Sequence, residues 1–383
     1  MKSTLTGAAA LLISASPLLA GGIERSNQSL AVLFEPGNYA ELSFGHVKPS
    51  IDGTDSAIPG VYPGGAETGN VAGSYNQFGL AYKHQFNENF SAAVILDQPF
   101  GADIYYPNPL AGEGGSPLLG GTSADVSSTQ LTGVVRYVMP QNGFGVHAGV
   151  RGSRADAEVS LSGLAYAGLN GYNVELDTDT AYGWLAGVSW EKPEIAARVS
   201  LTYNSEIEHE FDTNETLNGA PINPAGNSIT KVNTPKSWNL EFQTGVAADT
   251  LVFGSIRWVD WSSFRVDPQI FTAASGGGLV ELEDTTTYTL GVGRKFTEMW
   301  SGAASVSFEK RGDDLVSPLA PTNGRTGISL AAIYTQGNMK VTTGVNYTML
   351  GDARPETGTP DTERARMTDN HAWGVGVKVG YSF

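Results

Sequence analysis

The five histidines, His46, His84, His147, His209 and His371, are by type the residues best able to do chemistry, yet none stands in a motif that supports it. A serine hydrolase needs a Ser–His pair with an orienting Asn or acid, and no local spacing sets one out. No His-Glu-x-x-His run or paired His/Cys cluster marks a catalytic metal. The chain has no cysteine, which removes thiolate catalysis and any disulfide framework. Ser275-Gly-Gly-Gly278 is rich in glycine but lacks the Lys-Ser/Thr of a phosphate loop. Neither an enzyme nor a metal or cofactor is therefore expected. What is left is a set of cations able to meet an anionic group: Lys83, Arg136, Arg151 and Arg257. Their use depends on which face of a strand each occupies.

The strands can be read directly. In the closing segment Trp373, Val375, Val377, Val379, Tyr381 and Phe383 alternate with Gly374, Gly376, Lys378, Gly380 and Ser382. Period two means a strand with one apolar and one polar face. The pattern recurs upstream. Phe78, Leu80 and Tyr82 oppose Gln77, Gly79 and Lys83; Phe144, Val146, Ala148 and Val150 oppose Gly145, His147, Gly149 and Arg151. Trp238, Leu240 and Phe242 likewise oppose Asn239, Glu241 and Gln243. Residues 251–264 are less regular, and Trp258, Asp260 and Trp261 there point to a bulge.

Which solvent meets the apolar face follows from the other end of the chain. Lys2, the apolar run Leu5 to Ile13 and Pro17-Leu-Leu-Ala20 read as a secretory signal over residues 1–20, with a mature start near Gly21. No later run of about 18 apolar residues offers a membrane helix. A membrane protein without such helices must span as a closed barrel, because every backbone polar group in hydrocarbon needs a partner. The 48 glycines, 15 tyrosines and seven tryptophans suit short turns and aromatic girdles. A net charge of −16 argues against nucleic acid. Acidic loops either hold divalent cations between lipopolysaccharide head groups or simply keep an exported chain soluble.

About fourteen strand-like segments are separated by gaps that alternate short and long. Short gaps such as Asn87-Glu88-Asn89, Pro140-Gln-Asn-Gly143 and Gln336-Gly-Asn338 are hairpin turns. Long gaps include residues 50–72, 212–233 and 353–365. Short periplasmic turns and long outer loops are the asymmetry of bacterial outer-membrane barrels. Fourteen tilted strands leave a bore of roughly 28 Å, too wide for wall side chains to fill. Residues 21–37, before the first strand, carry Ile23, Leu30, Val32, Leu33 and Phe34 and are expected to fold inward as a short hatch.

Several runs then resemble the FadL-like outer-membrane transporters of long-chain fatty acids and other hydrophobic compounds. They are Arg198-Val-Ser-Leu-Thr-Tyr-Asn-Ser-Glu-Ile207, Pro235-Lys-Ser-Trp238 followed by Trp258-Val-Asp-Trp-Ser-Ser-Phe264, and Tyr288-Thr-Leu-Gly-Val-Gly293 leading to Met299-Trp300. The resemblance implies capture of a hydrophobic ligand by outer loops, a lumenal pocket, and a kink in the third strand that releases ligand sideways into the bilayer. Pro99, Phe100 and Gly101 match that kink; read alone, they equally suit the upper end of the strand. The resemblance also places Arg154 where an arginine can meet a fatty-acid head group, although alternation from Phe144 points it outward. The hatch departs from the family in lacking Asn-Pro-Ala before Tyr39.

The expected protein is thus all-β: a transmembrane antiparallel barrel over residues 38–383 in the bacterial outer membrane, monomeric, in contact with lipid and lipopolysaccharide. Its expected function is passive uptake of hydrophobic molecules, long-chain fatty acids foremost. The competing reading is a general porin for small hydrophilic solutes, which would need opposed charge rows in an open pore; none is obvious.

Overall fold

The computed structural model describes residues 23–383 apart from Gln141. The expected signal peptide and its cleavage site lie outside the described residues. From residue 39 onward the chain is a closed barrel of 14 antiparallel strands. The first six are β1 (Tyr39–Ser50), β2 (Tyr75–Gln85), β3 (Phe90–Asp97 and Gly101–Tyr105), β4 (Ser123–Val138), β5 (Phe144–Leu161) and β6 (Tyr172–Lys192). Two interrupted strands follow, β7 (Ala197–Asn204 and Ile207–Leu217) and β8 (Ser228–Thr234 and Ser237–Ala247). The ring is completed by β9 (Thr250–Val259), β10 (Thr285–Lys295), β11 (Trp300–Glu309), β12 (Arg325–Gln336), β13 (Met339–Leu350) and β14 (His371–Ser382). β1 pairs with both β2 and β14, from Tyr39 opposite Ser382 to Ser50 opposite His371, and this closes it.

Burial is inverted relative to a soluble sheet. Large outward side chains such as Leu42, Phe78, Leu290 and Trp373 are exposed, while Gln77, Lys83, His147, Arg151 and Asn346 are buried. An apolar exterior and a polar interior are what lipid outside and a packed lumen require. Ring pairs Trp184–Tyr203, Tyr203–Trp238 and Tyr347–Trp373 sit on this outer face, where interfacial aromatics anchor a barrel. The expected bulge in residues 251–264 is instead a strand end. β9 stops at Val259, and a single 3-10 turn, Trp261–Ser263, folds Trp261 into complete burial.

The long loops do not stand free. Ile51, Val71, Leu118, Leu119, Phe271 and Met367 belong to one apolar cluster with Phe100 and Trp261, so the outer mouth is covered. A second, lower cluster joins Leu30, Val32 and Leu33 to Ala81, Ala93, Val134 and Leu185 of the inner wall.

Candidate functional site

Residues 23–35 run down the lumen, and the inward side chains of the wall hold them at three levels. At the top, Glu24 forms a buried ion pair with Arg257, whose Nε lies 2.9 Å from the carboxylate, and bridges to Phe100 of β3. In the middle, Arg151 donates to Gln28 at 2.6 Å, Asn239 to the Asn27 carbonyl at 2.9 Å, and Ser29 to Glu241 at 2.6 Å. At the bottom, Lys340 meets the Glu35 carboxylate at 2.7 Å and Lys83 the Glu35 carbonyl at 2.5 Å. The Phe34 ring lies between the guanidinium groups of Arg136 and Arg198, at 4.4 and 4.3 Å, within cation–π range. Ile23, Leu30, Val32 and Leu33 are buried.

The break in β3 is a bulge inside the strand, not its upper end. Asp97 pairs with Gln130 and Gly101 with Ser127, so Gln98, Pro99 and Phe100 face only Ser128 and Thr129. One surplus residue reverses the pleat. The Ser128 hydroxyl accepts from the Phe100 N–H at 2.9 Å and donates to its carbonyl at 2.7 Å. β2 and β3 pair only from Leu80–Leu96 down to Gln85–Ser91. Above that level the wall is spanned by the Gln98 side chain, which accepts the Phe78 N–H at 3.0 Å. The N-terminal segment backs this opening: Arg25 and Ser26 donate to the Pro99 carbonyl at 2.7 and 3.3 Å, and Gly101 to that of Ile23 at 2.8 Å. A Cβ at Gly101 would stand 2.5 Å from the Arg25 guanidinium, so a larger residue there would displace that side chain.

Two cavities flank this contact. The upper one, about 70 Å³, is walled by Phe100 of β3, Val126 of β4, Val159 of β5, Leu176 of β6, Phe211 of β7 and Val232 of β8. Ile23 forms its floor, and Phe264 and Leu319 from the loops close it above. The other, also about 70 Å³, lies behind the β2–β3 opening and is more polar, with Ser26, Gln28, Asp97 and Gln98 in its lining.

The candidate cations therefore fall into two groups. Lys83, Arg136, Arg151 and Arg257 do face the lumen, but all four contact the N-terminal segment and none lines the apolar cavity. Arg154 is exposed on the outer face, as plain alternation has it, and the register runs unbroken from Phe144 past it to Ala155. Among the described residues lining the cavity, the only titratable ones are Asp156 and His209. His209 was not singled out by sequence, because its partners lie on other strands. Its Nδ1 is 2.8 Å from Asp179 of β6, and its Nε2 is 3.2 Å from Ser153 of β5.

Comparison with known proteins agrees with this architecture. No curated protein matches the chain by sequence. Among solved structures it is similar to a Pseudomonas aeruginosa FadL homologue (TM-score 0.71, 15% identity, 92% of each chain covered). It is similar also to the P. putida toluene transporter TodX (0.64, 15%, 92% of each). A third is the Ralstonia pickettii toluene transporter TbuX (0.58, 12%, 91% of this chain and 90% of that one). The model of the outer membrane protein transport protein family (OMPP1/FadL/TodX) matches residues 28–383, and the chain belongs to that family of outer-membrane β-barrel transporters.

Proposed function

We propose that this barrel takes up neutral hydrophobic compounds passively, holding them in the apolar cavity and releasing them sideways through the opening above Leu80 and Leu96. The observation that carries the reading is the adjacency of three things: a capped apolar cavity, a bulge that interrupts the wall, and a segment lodged between them. A hydrophobic molecule gains about 0.8 kcal/mol per CH₂ on leaving water, so an exit into lipid avoids the polar lower lumen. Residues 23–35 serve as the plug. A lumen so crossed by buried ion pairs favours this reading over an open porin, and sugars should swell loaded liposomes no faster than they swell empty ones.

Fatty acids were the foremost expectation from sequence. With no Lys or Arg among the described cavity lining, a carboxylate would be buried unpaired there, at a cost of several kcal/mol. Naphthalene should therefore displace a neutral fluorescent ligand from the purified protein, whereas an ionised long-chain acid should displace it at least tenfold more weakly. Equal competition by the two would return the fatty acid to first place.

The exit is tested by deleting Pro99, which removes the surplus residue and restores the pleat. Replacing Gly101 is less suitable, since its new side chain would strike Arg25. Cells carrying the deletion should take up hydrophobic compounds severalfold more slowly at normal surface expression. Undiminished uptake would move the exit to the periplasmic mouth.

Contact with lipopolysaccharide has its support on the outer face. Asp103 is opposite Asp125, Asp125 opposite Glu158 and Glu158 opposite Glu175, all exposed. Like charges directly opposite destabilise a sheet, and divalent cations shared with lipid phosphates would relieve them.

A further inference from the structure

The wall is interrupted a second time. Between β6 and β7 the ladder runs from Lys192–Ala197 to Leu185–Asn204, stops, and resumes at Leu176–Thr213. Among the described residues no ladder pair joins 177–184 to 205–212, although the strands stay side by side. The cause is a mismatch of pleat. β6 carries a surplus residue between Leu176 and Asp179, and β7 carries one between Asn204 and Ile207, since both of these are buried inward residues three apart. Between the two interruptions an inward residue of one strand meets an outward residue of the other, so the backbone groups cannot pair.

Side chains close the seam instead. At its base the Ser205 N–H donates to the Trp184 carbonyl and its hydroxyl accepts the Trp184 N–H, both at 2.9 Å. Higher up, Asp179 reaches across to His209 at 2.8 Å and to the Glu210 N–H at 3.4 Å, and Ser153 steadies the far side of the imidazole. Ser153, His209 and Asp179 have the order of a hydrolytic relay. Ser153 is only 1% exposed and does not line the cavity, so its oxygen meets no substrate. The grouping is better read as a latch. On the inner side His209, Leu176 and Phe211 are cavity wall. On the outer side Tyr182 is 78% exposed. Trp184 and Tyr203 mark the lipid boundary below, and exposed Glu206, Glu208, Glu210 and Asp212 continue above it.

We propose that this seam is a side inlet, through which a neutral hydrophobic molecule held among the outer head groups passes between β6 and β7 into the apolar cavity when Asp179 releases His209. The inlet rests on the reading of that cavity as the ligand site. It gives the molecule a route that never crosses the covered outer mouth, and it places β3 to β6 of the cavity wall between exit and inlet.

The chain has no cysteine, so Thr180→Cys with Glu208→Cys, exposed on either side of the seam, can be bridged by a short, reducible bis-maleimide. The control bridge joins Asp212→Cys to Ile229→Cys, which are directly laddered and exposed. Uptake of N-phenyl-1-naphthylamine by cells should fall at least threefold with the seam bridged, recover on reduction, and be unaffected by the control bridge. Asp179→Ala should raise it. Uptake equal in bridged and unbridged cells would overturn the inlet alone, provided the unmodified chain is active. An unmodified chain no faster than cells lacking it would overturn the transport reading and the inlet together.

Discussion

The buried pair of Glu24 and Arg257 is the tightest single tie between segment and wall, with both side chains 6% exposed. Removing one partner of such a pair costs about 3–5 kcal/mol, while removing both together is close to neutral. Arg257→Met should thus loosen the top of the segment and appear as flickering conductance in planar bilayers, and Glu24→Gln added to it should quieten the channel. Steady, closed behaviour of the single variant would show that the lower ties suffice. A different residue governs pH response. Glu356, in the loop before β14, is pushed up to about 7 by burial and by Asp361 and Glu281, against Arg364. One of its oxygens is buried without a partner. Its folded value lies above the unfolded one, so it costs nothing below the unfolded value of 4.5 and destabilises progressively as pH rises through about 7. The melting temperature should therefore fall from about pH 5 to about pH 8 by more in the natural chain than in Glu356→Gln; parallel pH profiles would refute this. That Lys83 and Arg151 face inward was legible from alternation, because a charge on the lipid side is expensive; Arg257 lies where alternation failed, and its facing was not. What they grip was not, since the groups of residues 23–35 reach them from far along the chain.

At the scale of elements, legibility followed the presence of a marker residue. Pro99 cannot donate to a ladder and announces the bulge in β3. The surplus residues at Asp177-Thr178 and Ser205-Glu206 carry no proline or glycine, and only the paired register exposes them. Trp258 and Trp261 suggested a bulge because alternation failed there; the strand had simply ended, and loop burial outweighed pattern. The N-terminal segment forms one short turn, Ala31–Phe34, and a single bridge at Glu24, with no other regular structure among its described residues. It has no stability of its own and is held by the wall. Deleting residues 23–35 should leave the barrel folded and heat-modifiable on gels while raising its conductance in planar bilayers. A conductance no higher than that of the natural chain would mean that the loops alone close the bore.

For the whole molecule, strand number, loop asymmetry and inverted burial were all legible, since each repeats around the ring and errors in one strand do not spoil the count. The cover was not, because Ile51, Leu118, Phe271 and Met367 come from four separate loops with no common pattern. The ring's closure also bears on assembly. Glu35 is held by Lys83 on β2 and Lys340 on β13, and between those strands lie β1 and β14, the pair that completes the circle. A segment tied to both flanks of the last joint can hold them together if it is inside when the ends meet. The same few residues that later stop the bore would then act as a splint during insertion, bringing the first and last hairpins within reach of each other. Glu35→Gln should slow refolding from urea into detergent micelles, followed by gel shift, while Arg257→Met, far from the joint, should leave that rate alone.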